Sequence, residues 1–146
     1  MIRRATQEDL SQIHGLCLKY GLESMRPEFI NSRDICLVAD IGGKIGGYIW
    51  AGLMARNTFA YVCGFTVDPQ YSKQRVGENL AKELLRVARM KGVRSFVATI
   101  KQDKYHDQCA VNCLKAGAGA APESCTLITG DLGLMVKNLR ELQESA

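Results

Sequence analysis

The sequence predicts an α/β (α+β) fold: a mixed, mostly antiparallel central sheet of six or seven strands flanked by about four helices, in the order β-α-α-β-β-β-α-β-α-β-β. Three observations carry this reading. Strand-period and helix-period segments alternate along the chain, which excludes all-β and all-α folds. Three apolar runs between residues 35 and 67 follow one another across short turns, as an antiparallel meander does. A strongly amphipathic run then opens at Val76, directly after a strand stop. With 146 residues, 47% of them hydrophobic and 23% charged, the chain suits one globular domain spanning 1–146.

Taken in order, residues 2–5 are apolar enough for a short first strand. Thr6 is a helix N-cap with Asp9 as its capping-box partner. Leu10, Ile13, Leu16, Cys17 and Tyr20 recur at helical spacing, and Gly21 ends that helix. Pro27 starts a short second helix reaching Ser32. Segments 35–39, 44–54 and 58–67 are rich in Val, Ile, Phe, Tyr and Cys; Gly42 and Gly43 turn the chain between the first two. Asp68 and Pro69 stop the third, because proline cannot donate to a ladder.

The next helix has Val76, Leu80, Ala81, Leu84, Leu85, Val87 and Ala88 on one face, and Glu78, Lys82, Glu83, Arg86 and Arg89 on the other. Glu78 and Lys82 are spaced for an ion pair, and Gly92 stands where a C-terminal glycine belongs. Segment 93–100 is apolar on both faces, so it reads as a strand buried on both. Residues 106–116 form a late helix ended by Gly117. Segments 124–129 and 132–137 flank Gly130-Asp131 as a hairpin.

Charge and cysteines narrow the function classes. The formal charge is +4, from 19 Lys and Arg against 15 Asp and Glu, with no dense basic stripe, so nucleic acid is not the expected partner. A mild positive field suits an anionic small ligand. No apolar run reaches the roughly 20 residues of a membrane helix. The start Met1-Ile2-Arg3-Arg4 runs straight into a polar, helix-starting segment, so no signal peptide is expected. Cys17, Cys36, Cys63, Cys109, Cys113 and Cys125 lack paired zinc spacing, so no metal site is expected. They read as reduced, small core residues of a cytoplasmic protein.

The segment that carries chemistry is Val67-Asp68-Pro69-Gln70-Tyr71-Ser72-Lys73-Gln74-Arg75-Val76-Gly77-Glu78-Asn79-Leu80. A strand ends, a loop follows, and a helix begins. The first helical turn has unpaired N–H groups and a partial positive charge, which together bind anions. Gly77 lets a ligand approach closely, and Lys73 and Arg75 add charge. This stretch resembles the coenzyme A loop of the GNAT superfamily of acetyltransferases, where a strand ending in Val-x-Pro leads to Arg/Gln-x-x-Gly-x-Gly/Ala and a helix. The first slot falls on Ser72, the first glycine on Arg75 and the second on Gly77. Two slots therefore depart from the pattern. Arg75 keeps its N–H, and its backbone is expected to take ordinary α-helical angles.

The resemblance implies acetyl-CoA as co-substrate and an acceptor amine as its partner. It implies strands that splay beside the loop, with the pantetheine arm along Phe65, Thr66 and Val67. The pyrophosphate falls to Lys73, Gln74, Arg75, Val76, Gly77, Glu78 and Asn79. The amine then attacks the thioester directly, and the protein positions the substrates and polarises the carbonyl. The family's late-helix tyrosine, which protonates the leaving thiolate, has Cys113 in its slot; a buried packing cysteine is the plainer reading. Tyr105 lies before that helix. A frequent carboxylate position after the fifth strand is Lys101 here, and segment 58–67 has no carboxylate. Glu23, Glu28, Asp103, Asp107, His14 and His106 are each more simply surface or structural residues.

Two further classes stand beside the enzyme. One is a GNAT-fold protein, catalytically weak or inactive, that acts by binding a partner protein; a homodimer or partner protein is compatible with the enzyme as well. The other is nucleotide binding at the same helix start, which lacks the Gly-Lys-Ser/Thr ending of a phosphate-binding loop.

Overall fold

In the computed structural model, which describes residues 1–20, 27–54, 56–93, 95–100 and 125–129, the chain opens with β1 (Ile2–Arg4). A 3-10 turn (Gln7–Asp9) and α1 (Leu10–Tyr20) follow. The cap forms where Thr6 and Asp9 predict it. Thr6 N–H donates to the Asp9 carboxylate at 2.7 Å, and Asp9 N–H donates back to the Thr6 carbonyl at 3.0 Å. Arg3 then clamps the same carboxylate through two hydrogen bonds, 2.8 and 2.9 Å, and reaches Asp40 at 3.0 Å. β1, the turn and the β2 end are thereby tied together.

β2 (Ile35–Ile41), β3 (Lys44–Met54) and β4 (Phe59–Val67) form the expected meander. Gly42 and Gly43 turn the first hairpin with φ of 62° and 90°, angles that side chains resist. After a 3-10 segment (Pro69–Gln74) come α2 (Val76–Met90), β5 (Ser95–Ile100) and β6 (Cys125–Thr129). The sheet order is β1-β2-β3-β4-β5-β6, antiparallel from β1 to β4 and parallel beyond.

Helices lie on both faces. Ile35, Leu37 and Ala39 of β2 pack toward α2, with Ile49, Ala51, Ala60 and Val62; Cys36 and Val38 pack toward α1, with Ile13, Leu16, Cys17 and Tyr48. β2 is buried on both faces, which is why it reads as an almost unbroken apolar run. Leu80, Ala81, Leu84 and Ala88 are 0% exposed, and each buried leucine contributes about 1.5–3 kcal/mol. α2 ends as Gly92 predicts: Gly92 N–H bonds the Arg89 carbonyl and Val93 N–H the Ala88 carbonyl, both at 3.0 Å. Among the described residues, Cys17, Cys36 and Cys63 stand outside any disulfide, and burial pushes Cys36 up to about 12.

One expected helix does not form. Residues 27–32 are bends and the start of a turn, so two α-helices, not about four, flank the sheet among the described residues. The Gln7 side chain takes the backbone of Ile30 on both sides, accepting from its N–H at 3.1 Å and donating to its carbonyl at 2.8 Å. Asn31 accepts from Arg33 N–H at 2.9 Å, a local turn that competes with helix. The expected helix at 106–116 and the second strand of the last hairpin, 132–137, lie outside the described residues. Among the described residues, no helix is long and apolar enough to cross a membrane.

Candidate functional site

β4 and β5 part company halfway along. They pair from Phe59↔Ser95 to Val62↔Ala98, and among the described residues β4 then continues to Val67 paired with β3 alone. The register of β3 and β4 slips at the same place. Trp50 faces Gly64 while Ala51 faces Val62, which leaves Cys63 as an extra residue in a bulge. A bulge bends its strand and increases its twist, so β4 turns away from β5 where it forms. Among the described residues, an opening follows beside 63–67.

Backbone groups line that opening. Asp68 N–H bonds the Gly46 carbonyl at 2.8 Å, so Asp68 and, by alternation, Thr66 turn toward β3. Phe65 and Val67 therefore turn their N–H and C=O to the other side, into the opening. Their half-buried side chains pack on the α2 cluster. Thr66 is different: its side chain is 5% exposed and lies on the α1 face opposite Tyr48, whose hydroxyl is 2.9 Å from Cys17 Sγ.

The loop after β4 is built by its own sequence. Buried Asp68 caps the 3-10 segment, accepting from Gln70 N–H at 3.1 Å and from Gln70 Nε2 at 3.0 Å, while Pro69 supplies a ready-made φ. Two glycines of β3 seat this loop and α2. A β-carbon on Gly46 would meet Tyr71 Cδ2 at 2.7 Å; one on Gly47 would meet Leu80 Cδ1 and Val76 Cγ1 at 3.2 Å. Tyr71 and the first turn of α2 thus lie directly on the β3 backbone, and the helix start is held at the end of β4. Sequence reasoning missed these residues, although a Gly-Gly pair inside a strand does mark close approach.

Arg75 corrects an expectation. Its backbone is left-handed, φ 56° and ψ 31°, not right-handed α-helical. The position keeps the conformation a glycine would take, because the chain must turn sharply from the 3-10 segment into α2. The first bond into the helix runs from Asn79 N–H to the Arg75 carbonyl at 3.0 Å. Helical geometry leaves Val76, Gly77 and Glu78 N–H without intrahelical partners. Val76 and Gly77 are buried, Gln74, Arg75 and Asn79 are exposed, and Glu78 is half-buried. Lys82 sits 2.9 Å from Glu78 and holds its carboxyl below the ordinary range, so this helix start is not burdened by a lone anion.

Of the other candidates, His14 Nε2 lies 2.7 Å from the Pro27 carbonyl, a structural contact, and Glu28 is exposed. Glu23, Lys101, Asp103, Tyr105, His106, Asp107 and Cys113 lie outside the described residues, and so does the side chain of Lys73.

The sequence profile of the acetyltransferase (GNAT) family matches residues 3–113. No curated protein matches in sequence. Among solved structures, an aminoglycoside 6'-N-acetyltransferase complexed with coenzyme A superposes with a TM-score of 0.62 at 18% identity, over 71% of this chain and 64% of that one. The chain thus spans less than two thirds of that relative. An aminoglycoside acetyltransferase from an uncultured soil metagenomic sample, in complex with sisomicin, gives 0.62 at 19% identity over 90% and 95% of the two chains. The ribosomal-protein-alanine N-acetyltransferase of Brucella melitensis gives 0.53 at 20% identity over 67% and 72%. At these identities the likeness is one of fold.

Proposed function

The chain belongs to the acetyltransferase (GNAT) family, whose members use acetyl-CoA, and we propose that it transfers the acetyl group to a primary amine. The observation that carries this reading is the opening beside 63–67, with the start of α2 at its end. The opening offers Phe65 and Val67 backbone groups to an amide-rich arm. The α2 start offers N–H groups and partial positive charge to a pyrophosphate.

In this reading the pyrophosphate lies on the 73–79 loop, held mainly by the amides of Val76, Gly77 and Glu78. Arg75, and Lys73 where its side chain reaches, add charge; Gln74 and Asn79 edge the site. The pantetheine arm follows Phe65 and Val67, while Thr66 supports the strand from its buried side. Binding fixes the thioester where an amine can reach it, and catalysis consists largely of that positioning. Cys113 is the group proposed to protonate the departing thiolate. We place the reaction in the cytoplasm, with no nucleic acid involved; a homodimer is compatible with this reading, and action through a partner protein is the non-catalytic alternative.

The acceptor must lose a proton first. An ammonium with a pKa of about 10.4 is only about 0.1% neutral at pH 7.4, a cost near 4 kcal/mol.

The test is a mass-spectrometric assay of acetyl-CoA with an amine panel. Aminoglycosides and peptide N-termini belong in it, because similar structures are named for such acceptors. The proposal expects a mass gain of one acetyl group on at least one amine, with release of free CoA. Tight acetyl-CoA binding with no acetylation of any amine would favour the non-catalytic reading.

A further inference from the structure

The chain's single tryptophan, Trp50, donates its indole N–H to Asp34 Oδ2 at 3.2 Å. Asp34 stands half-buried immediately before β2, and by alternation with Ile35 its side chain belongs to the α1 face of the sheet. Gly52 is its neighbour on β3. A β-carbon there would lie 3.9 Å from Asp34 Oδ1 on one side and 3.8 Å from Cys63 Sγ on the other. The carboxylate and the bulge at Cys63 thus both border the space a Gly52 side chain would fill.

That bulge is where β4 leaves β5. An arm laid along Phe65 and Val67 from the α2 start travels about 13 Å in reaching Cys63, so its acyl end arrives beside the bulge. β4 itself contains no carboxylate. The Cys36 and Cys63 thiols are near enough to feel the Asp34 charge, and Arg3, Arg4, Glu83, Arg86 and Lys91 line with Asp34 a cleft on the α2 side. Burial, and after it the nearby Asp34 charge, pushes the Cys63 thiol up to about 11, so the thiol is a poor rival base.

We propose that Asp34 is the general base of the transfer, taking a proton from the acceptor ammonium over Gly52 at the Cys63 bulge. This rests on the acetyltransferase reading above. Asp34 removes one proton from the ammonium and leaves the neutral amine. The nitrogen lone pair forms the C–N bond to the acyl carbon while the C–S bond breaks, its electron pair leaving on sulfur. The second proton passes from nitrogen to that sulfur by way of the leaving-group acid proposed above, and Asp34 gives its own proton to water.

Asp34→Asn is close in shape and still accepts from Trp50, so it tests basicity. With acetyl-CoA and the panel amine turned over fastest, kcat/KM at pH 7 should fall about 100-fold or more. The deficit should narrow toward pH 10, as the amine loses its proton unaided, and the KM for acetyl-CoA should hold. Trp50 fluorescence gives a readout independent of turnover. The wild type should show an acidic titration step, absent in Asp34→Asn, at the pH where the acid limb of its kcat/KM falls. Should the variant not fold, the coincidence of step and limb in the wild type alone decides. Equal kcat/KM at pH 7, a deficit unchanged at every pH, or a step displaced from the limb overturns Asp34 as base while leaving the acetyltransferase intact. A wild type that acetylates no amine overturns both.

Discussion

Tyr71 lies across Gly46 so closely that a β-carbon on Gly46 would stand 2.7 Å from the ring's Cδ2 and 2.7 Å from Ile41 Cδ1. That contact fixes the loop carrying the α2 start against β3. Gly46→Ala must therefore push Tyr71 or Ile41 aside, at a cost of about 1–3 kcal/mol of stability. Urea unfolding should read this loss, and CoA affinity should fall with it because the loop shifts. Gly46→Ala combined with Tyr71→Ala should recover part of the affinity lost. Unchanged stability in Gly46→Ala would show that the loop does not rest on β3.

The left-handed backbone at Arg75 gives a second expectation. A non-glycine residue there costs about 1–2 kcal/mol, and glycine's extra unfolded-state entropy offsets about 0.5–1 of it. Arg75→Gly should raise stability by about 0.5 kcal/mol in denaturant titrations. It should also weaken CoA binding, since a charge-assisted contact of about 1.5–3 kcal/mol is lost. Arg75→Ala should lose the same contact without the gain in stability. Both binding deficits should shrink at high salt, because this exposed guanidinium is screened. Salt-independent deficits would assign Arg75 a purely conformational role.

Much of this was legible because the signals are local. The α2 face, its Glu78–Lys82 pair, its glycine stop, the Thr6–Asp9 cap and the Gly42-Gly43 turn each need only a short window of sequence. What escaped depends on partners far along the chain. The 27–32 segment has the proline of a helix start, but Gln7 from another element takes its backbone. The Cys63 bulge is visible only when β3 and β4 are set in register. Asp34 and Cys63 become neighbours only through Gly52, which both border. Ordinary propensity also misjudged Arg75, since the turn into α2 is imposed by Tyr71 and Val76 being seated on β3.

A third expectation concerns acid. Arg3 holds the Asp9 carboxyl at about 2, below its ordinary 3.8, chiefly through hydrogen bonding. A depressed folded-state value means that the stabilisation is fully present above the unfolded pKa, near 4, and is lost as pH falls toward 2. It amounts to about 2 kcal/mol, from the size of the shift. Asp9→Asn should lose about that much at pH 7, and the gap to wild type should shrink to about 0.4 kcal/mol at pH 2, where the carboxyl is half protonated. Unfolding curves at both pH values check it; a gap undiminished at pH 2 would mean packing, not charge, is responsible.

Coenzyme A is placed at the α2 start, and calorimetric titration of CoA into wild type and Gly77→Glu tests that placement directly. Gly77 is buried in the first turn, where a glutamate would add both a side chain and a negative charge beside the pyrophosphate. Circular dichroism should first show that the variant keeps its helical content. The wild type should then bind CoA, and dephospho-CoA as well, because the pyrophosphate is common to both. Folded Gly77→Glu should bind neither. Tight CoA binding by the folded variant would contradict the placement of the coenzyme on this loop.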